Sequence, residues 1–539
     1  LPKEGGFVDK TVELYDSTLR DGAQAEGIAF SVEDKLNITK MLDRLGITYI
    51  EAGNPASNPK DIEYFKRVKN IKLSKSKICA FGSTRHRGVS ISDDIGVKAL
   101  LMAGTDTVAI FGKSWDLHVT KVLRTTLHEN LNMIRETVAF FKAAGKEVIF
   151  DAEHFFDGYR QNSRYAMETL KAACEGGADV LCLCDTNGAS YMNEIFELTC
   201  KVINRFGKRT AIHCHNDMGL AVANSMIAVD AGAVQVQGTF LGFGERCGNA
   251  DLSTLLANLQ LKRGINCIPE ENMQLLTTVS RGIAEIANIK LPHDHPYVGS
   301  CAFAHKGGMH IDGVRKIPQS FEHISPDTVG NERKFLFSEF SGRSTVLSEI
   351  RKIDPTISKD SPQTRKVMQR IKELEHYGYQ FEGAPAAVEL LIRKVLGLYK
   401  PFFELEHYKI IGEQPAKDDN MSSTAVIKIK VGGKSEITAA QGDGPVHALD
   451  NALRKALSVF YPSLSDVRLI DYKVRVMEPR DATASKVRVL IETTDGKNNW
   501  SCVGVSSDVI KASWIALVDS IEYKLTMDYE KAAKKDTVK

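Results

Sequence analysis

The chemistry of this chain starts at Ala211-Ile212-His213-Cys214-His215-Asn216-Asp217. Thr210 to Cys214 reads as a strand that ends in a polar trio. Alternate side chains of a strand share a face, so His213 and His215 point the same way. Two imidazoles side by side at a strand end form half of a divalent-metal site, or else a pair satisfied by hydrogen bonds within the fold. The first apolar run of the chain ends in Asp16-Ser17-Thr18-Leu19-Arg20-Asp21-Gly22. Asp21 there either makes an Asx turn or an ion pair with Arg20, or adds a carboxylate to the imidazoles. One carboxylate and two imidazoles make a facial set with open positions, suited to Mn²⁺, Mg²⁺, Zn²⁺ or Fe²⁺ and to catalysis. Such a metal chelates a 2-oxo acid and polarises its ketone. Arg20 is placed to neutralise the developing alkoxide, with a plain ion pair as the other reading. Glu153 ends another strand and is a candidate general acid/base, unless it is a hydrogen-bonded barrel carboxylate. Thr186 is placed to hold the substrate carboxylate. A Gly-rich loop, Gly242-Phe243-Gly244-Glu245-Arg246-Cys247-Gly248-Asn249, follows the last strand of the series.

The elements that must position these groups alternate regularly. From Thr11 to about Gln260, short β-branched runs such as Val12–Tyr15, Tyr49–Ala52, Ile78–Phe81, Thr107–Phe111, Val148–Ala152, Val180–Leu183 and Val234–Gly238 join the histidine strand. Each is followed by a helix-period stretch, among them Val32–Leu45, Ile62–Val68, Leu123–Ala144, Tyr165–Cys174, Ile195–Phe206 and Leu252–Leu261. Glycines close the helices at Gly46, Gly104, Gly145, Gly177 and Gly232, where a left-handed residue is wanted. Eight strand–helix units predict a TIM (β/α)8 barrel rather than an open doubly wound sheet, which would carry its Gly-rich turn after the first strand. In a barrel the C-terminal strand ends converge on the active site. That gathers Arg20, Asp21, Glu51, Asn54, Arg85, His86, Glu153, His154, Asp185, Thr186, His213, His215, Asn216, Asp217 and the loop 242–249 at one mouth.

Beyond the barrel the pattern changes twice. A Gly- and His-rich run, Ala302 to Gly313, leads into helical stretches, clearest at Arg365–Leu374 and Ala386–Leu398. From Phe403 the period becomes two, at Ala425–Val431, Lys473–Val476 and Val487–Ile491, with helices at Pro445–Phe460 and Val509–Met527. Two strand-rich halves, each ending in a helix, predict a compact α+β domain with a binding or regulatory role. The division read from the sequence is a catalytic barrel at 11–270, helical linker subdomains at 271–402 that contribute to the active site, and a regulatory domain at 403–530.

Bulk properties exclude other classes. Of 539 residues, 43% are hydrophobic and 26% charged, with a net charge of +2. Neither sign dominates, which argues against a nucleic-acid or membrane-surface binder. The tail Lys531, Lys534, Lys535 and Lys539 reads as a solvated end, and no run approaches the ~18 apolar residues of a membrane span. Leu1–Gly6 carries no signal-peptide hydrophobic region and no Met, as in a trimmed or incomplete end. Ten scattered cysteines without a C-x-x-C pair read as reduced thiols of a cytoplasmic protein.

Three motifs together, Leu19-Arg20-Asp21-Gly22, His213-Cys214-His215-Asn216-Asp217 and the loop Gly242 to Asn249, resemble the 2-isopropylmalate synthase/homocitrate synthase family of metal-dependent TIM-barrel enzymes. The C-terminal domain with Gly442-Asp443-Gly444-Pro445 looks like that family's allosteric dimer domain, and the resemblance runs from about Thr11 to Met527. Glu51 to Asp61 and Cys184-Asp185-Thr186-Asn187-Gly188 are similar to the branch that condenses acetyl-CoA with pyruvate on a route to isoleucine. The resemblance implies that Asp21, His213 and His215 bind the metal, with Asn249 as a further ligand or neighbour. The metal would be Mn²⁺ or Mg²⁺, with Zn²⁺ or Co²⁺ as alternatives. Arg20, Asp21 and Thr186 would hold the oxo acid, and Gly242, Gly244 and Arg246 the acetyl-CoA. Glu153, with His310 and Asp312, would remove a proton from the acetyl methyl. A homodimer inhibited by isoleucine or leucine is implied as well. One departure from the family pattern is Phe321 in Phe321-Glu322-His323-Ile324, where relatives often carry Tyr; Phe321 is left outside the catalytic set.

Three competing readings remain at this point. A larger substrate, 2-oxoisovalerate, differs by only ~1–3 kcal/mol per methylene-sized change in the pocket. A lyase of the 3-hydroxy-3-methylglutaryl-CoA type would use Cys247. A scaffold with a dead barrel would only bind an effector.

Overall fold

A computed structural model describes residues 10–336, 343–412, 423–477, 485–496 and 498–537. The N-terminal run Leu1–Gly6 and the end of the basic tail at Lys539 lie outside them. Eight parallel strands close on themselves in chain order. They are β1 (Glu13–Asp16), β2 (Tyr49–Glu51), β3 (Lys77–Ser83), β4 (Thr107–Lys113), β5 (Glu147–Glu153), β6 (Val180–Asp185), β7 (Arg209–Cys214) and β8 (Gln235–Gly238). The ring is sealed where β1 pairs with β8, Tyr15 facing Gln237. Around it run α1 (Val32–Leu45), α2 (Pro59–Val68), α3 (Ile95–Ala103), α4 (Leu127–Ala143), α5 (Phe155–Gly176), α6 (Met192–Phe206), α7 (Ala221–Asp230) and α8 (Leu252–Ala257). The barrel predicted from the eight units is therefore the fold of this part.

Local chemistry sets the helix ends. Ser31 and Asp34 form a reciprocal capping box at the start of α1: the Ser31 hydroxyl accepts from the Asp34 amide at 3.2 Å and the Ser31 amide donates to the Asp34 carboxylate at 2.8 Å. The five glycines picked out at helix ends all have positive φ, from 69° to 110°. Two helices differ from the sequence reading. α5 begins ten residues earlier than Tyr165, because its polar first half lies over the barrel end and bends at Asn162, whose φ is −146°. The stretch from Leu123 yields a helix only from Leu127, preceded by a π-turn at His118–Val122. Apolar side chains fill two layers. One lies between strands and helices. The other lies inside the barrel and is built from Tyr15, Tyr49, Cys79, Ala109, Ile149, Val180, Cys182, Cys184 and Ala211.

The chain forms two compact units. The first contains the barrel, α9 (Leu276–Ile286) and the segment Ile324–Arg333. The second holds Ala304–His323 and the chain from Lys334 onward. Short strands β9 (Ala304–His305) and β10 (Lys334–Phe335) pair in parallel within it. Helices α10 (Gly308–Lys316), α11 (Arg343–Ile353), α12 (Pro362–Tyr377) and α13 (Pro385–Leu396) follow. Pro385 begins α13 at its first turn, where a missing N–H costs nothing.

Two three-stranded antiparallel sheets then form, each joined to one helix. β11 (Glu404–Gly412), β12 (Ser423–Val431) and β13 (Lys434–Gly442) carry α14 (Pro445–Ser458). β14 (Arg468–Val476), β15 (Val487–Thr494) and β16 (Asn499–Ser506) carry α15 (Val509–Thr537). Ala425, Ile427 and Ile429 alternate inward from β12 onto Leu449, Leu453 and Leu457 of α14. The α+β domain read from the period of two is present, with three strands per half. Among the described residues no helix is long and apolar enough to cross a membrane.

Candidate active site

The β1 loop is held rigidly before it delivers anything. Asp16, fully buried, accepts from the Thr18 amide at 3.1 Å and its hydroxyl at 2.8 Å. Burial pushes the Asp16 carboxyl up to about 7. The Thr18 hydroxyl in turn accepts from the Phe240 amide at 2.8 Å, tying the β1 loop to the β8 loop. This turn presents Arg20 and Asp21 over the barrel mouth. The Arg20 guanidinium lies 3.7 Å above the Phe81 ring and donates through Nε to Glu51 at the end of β2. Glu51 is completely buried and also accepts from Tyr15 and, at 2.6 Å, from Ser17. Three donors hold this buried carboxyl, and it fixes the arginine in place.

Asp21, His213 and His215 come together as expected, with ligand atoms all within 4.8 Å of one another and all three residues buried. The His213 Nε2 is 3.5 Å from the Asp21 carboxylate, and the Arg20 Nη1 is 3.5 Å from that same oxygen. Burial acts to raise the Asp21 carboxyl, but the Arg20 guanidinium beside it holds it below its ordinary value. Burial lowers both histidines, His215 to about 3, which favours the neutral imidazole whose lone pair a cation takes. Asn249 pairs with His215 through a backbone bridge, and its side-chain oxygen and nitrogen are buried without a hydrogen-bond partner. His215 Nδ1 is likewise unpartnered. A carboxylate, two neutral imidazoles and orphaned amide atoms fit a divalent cation and leave positions open for substrate.

The glycines of the loop after β8 fold it back on itself. Gly244 has φ +154°, and a Cβ there would stand 2.9 Å from Asn249 Nδ2; one on Gly248 would stand 1.9 Å from the Gly242 carbonyl. The loop thereby seats Asn249 against the histidines. Arg246, itself at φ 57°, donates to Asp217 at 2.8 and 3.0 Å and to the Thr186 carbonyl at 2.6 Å. It clasps the loops after β6, β7 and β8 together.

A cavity of about 220 Å³ opens over these groups. Its wall includes Arg20, Asp21, Glu153, Thr186, His213, His215 and Arg246, all singled out in the sequence. Glu153 forms an ion pair with Lys113 at 2.5 Å, and the Thr186 hydroxyl accepts from the His154 amide at 2.9 Å. Sequence reasoning missed Gln24, Phe81, Phe111, Asp151 and Cys184 in the same wall, which also holds Glu245 of the loop 242–249. Asp151 was within reach, because the alternation that turns Glu153 inward turns Asp151 inward too. A further cavity of about 520 Å³ shares Arg20, Gln24, Phe81 and Phe111 with the first.

Other candidates are occupied elsewhere. Arg85 pairs with Glu129 and Glu136, His86 with Asp94, and His154 with Asp157. Asp185 turns into its own loop and accepts from Ala189 and Ser190. Asn54 accepts from the Ala56 amide, and Asn216 from the Ala221 amide. His310 and Asp312 lie on α10 in the second unit, where His310 stacks on Phe321 at 4.2 Å and Asp312 pairs with Lys316 at 2.6 Å. The first unit's cavity is built without them.

A closed parallel barrel whose first and seventh strands converge an aspartate and two neutral histidines on a buried polar cavity is an enzyme scaffold with a divalent-cation site. Residues 11–283 match the HMGL-like family, 297–378 the homocitrate synthase post-HMGL domain-like family, and 382–525 the LeuA allosteric (dimerisation) domain. The (R)-citramalate synthase of Aquifex aeolicus is 52% identical over 96% of this chain and 98% of its own. Those of Geobacter sulfurreducens and Sulfolobus acidocaldarius are 49% and 44% identical, over 95% and 98% of this chain and 97% and 99% of theirs. The chain belongs to the HMGL-like family and, within it, to the family of the (R)-citramalate synthases.

Proposed function

We propose that the protein is a citramalate synthase: it condenses acetyl-CoA with pyruvate and water to give (R)-citramalate and CoA. The observation that carries the reading is the Asp21, His213 and His215 set in a cavity of about 220 Å³. That volume suits a small 2-oxo acid and an acetyl group, so the rest of the coenzyme must lie across the mouth. Gly242, Gly244 and Arg246 are assigned to it from the family pattern.

Asp21, His213 and His215, with Asn249 beside them, would hold a divalent cation, Mn²⁺ or Mg²⁺, which supplies Lewis acidity toward the ketone of the oxo acid. Arg20 and Thr186 orient the oxo acid, and Arg20 offsets charge that develops on the ketone oxygen. Glu153 removes a proton from the acetyl methyl, with the Lys113 ammonium beside it to orient the carboxylate. The enolate carbon attacks the ketone carbon, and water then cleaves the thioester, releasing CoA. His310 and Asp312 are assigned to the same proton transfer on the family pattern alone.

The division of labour proposed is a catalytic barrel at 11–270, linker subdomains at 271–402 and a regulatory domain at 403–530 that forms a homodimer and binds isoleucine as feedback inhibitor. The protein is placed in the cytoplasm, in keeping with ten cysteines that are all free. CoA release from acetyl-CoA with pyruvate against 2-oxoisovalerate tests the substrate. Preference for pyruvate is expected; preference for the branched acid would make the enzyme a 2-isopropylmalate synthase. Cys247 is exposed, and Cys247→Ser should leave activity intact. Abolished activity would favour the lyase. Inhibition by leucine and not isoleucine would refute the effector assignment.

A further inference from the structure

Beside the Asp21 set in the barrel, with Cys184 opposite His213 and Cys182 one step deeper opposite Ala211, lies a second group of ligand-type side chains that the proposed reaction does not use. Asp151 on β5 stands opposite Cys182 in the β5–β6 ladder. Cys184 follows two residues on and faces the same way, toward the barrel interior. One carboxylate oxygen and the two sulfurs lie within 4.8 Å of one another, all buried, and the sulfurs are 4.0 Å apart. Asp151 accepts from the Gln237 amide at 3.1 Å, which fixes its orientation. Asp151 and Cys184 both form part of the wall of the catalytic cavity, so an ion that enters the cavity meets them.

We propose that Asp151, Cys182 and Cys184 form a second metal site, selective for a thiophilic divalent cation such as Zn²⁺ or Cd²⁺. Two sulfurs and one oxygen make a three-ligand set that leaves a fourth tetrahedral position to water. Soft sulfur donors discriminate against Mg²⁺ and Mn²⁺, which the carboxylate and imidazoles of the first site accept. Without a cation burial favours the protonated forms: it pushes the Asp151 carboxyl up to about 7 and the Cys182 thiol well above its ordinary value. The Cys184 thiol is lowered by its contact with Cys182, but burial carries it up to about 11. Entry of the cation therefore forms two metal–sulfur bonds and one metal–oxygen bond and releases up to three protons to solvent, with no change of oxidation state. Only a cation with strong thiolate bonds meets that demand. A cation there occupies the floor of the cavity, so soft metals inhibit turnover even when Mg²⁺ or Mn²⁺ fills the first site.

The test is cadmium NMR and ultraviolet absorption of the full-length protein titrated with Cd²⁺ in excess Mg²⁺. The expected result is a strongly deshielded resonance from two-sulfur ligation together with a thiolate-to-cadmium charge-transfer band. Both should be lost in Cys182→Ser/Cys184→Ser and kept in Cys247→Ser/Cys301→Ser, which removes the two exposed thiols. A wild-type spectrum holding only nitrogen- and oxygen-ligated cadmium overturns the proposal. So does a sulfur band that follows Cys247 and Cys301. Both of these decisive readings use the wild type or the exposed-thiol variant, so the proposal stays falsifiable even if the buried double variant folds poorly. Neither readout needs turnover, so failure of the catalytic reading and failure of this one are separable.

Discussion

Replacing Glu51 by glutamine removes one negative charge from the floor of the site without changing its shape. Glu51 is no metal ligand; it is the buried acceptor of Tyr15, Ser17 and Arg20. In Glu51→Gln the Arg20 guanidinium keeps one carboxylate, Asp21 at 3.5 Å. Removing one partner of a buried ion pair typically costs about 3–5 kcal/mol of stability. Some of this is recovered if Arg20 moves onto Asp21, but that recovery is taken from the cation, which needs the same oxygen. Outer-shell changes of this kind cost about 10–100-fold in metal affinity, or about 1.4–2.7 kcal/mol. Free Mn²⁺ measured by electron paramagnetic resonance during titration should show the dissociation constant rising by that factor, while denaturant unfolding of the metal-free protein shows the stability loss. Ser17→Ala removes one hydrogen bond to the Glu51 carboxylate while leaving its charge, and serves as control, at about 1.5–3 kcal/mol. If Glu51→Gln loses stability but binds Mn²⁺ within about threefold of wild type, less than the outer-shell scale, Arg20 does not couple Glu51 to Asp21 and the reasoning fails.

The remaining predictions address substrate size, pH and metal linkage. Phe81 and Phe111 stack at 5.1 Å in the cavity wall, so Phe111→Ala should shift kcat/KM toward 2-oxoisovalerate over pyruvate by about tenfold or more, measured by CoA release. Glu522 in α15 is buried, accepts from the Phe402 amide at 3.0 Å, and is pushed up to about 7 by burial. A carboxyl raised on folding contributes stability that is full below its unfolded value and is lost as pH rises through about 7. Glu522→Gln should therefore raise Tm at about pH 8 and change it little at about pH 5, by calorimetry at both. Removing the cation with a chelator should abolish CoA release and lower Tm, and Mn²⁺ restored to about 100 times its Kd should return about 2.7 kcal/mol. Activity that survives chelation would refute the metal role.

The barrel was legible because most strands are short β-branched runs and helices such as α1, α3, α5 and α6 close on a glycine with positive φ, and both signals are local. The strands of the second unit were read unevenly for the same reason. β12 alternates Ala425, Ile427 and Ile429 against polar neighbours and stands out. β13, Lys434–Gly442, is rich in charged residues and alanine and has little intrinsic β preference; it is a strand because β12 beside it supplies nine paired positions. β16 contains Gly504, where a Cβ would stand 2.1 Å from the Ala512 carbonyl of α15. A glycine reads as a breaker in sequence, yet here it admits the helix against the sheet.

Strand alternation says which side chains enter the barrel but not how deep they sit. His213 and His215, Asp151 and Glu153, and Cys182 and Cys184 all follow from the period of two. Depth comes from the stagger between neighbouring strands, a property of the closed ring. Cys184 pairs with His213 and Asp151 with Cys182, so the sulfur set reaches from the level of His213 to the step below it. Nothing within any one strand encodes that offset. The pairing of Glu51 with Arg20 is hidden for a related reason, since the two residues meet only when β1 and β2 lie side by side with Tyr15 level with Tyr49. The His-x-His motif therefore announces a metal site from one strand, while the charged groups around it come from β1 and β2 and the cavity wall beside it from β3 to β5.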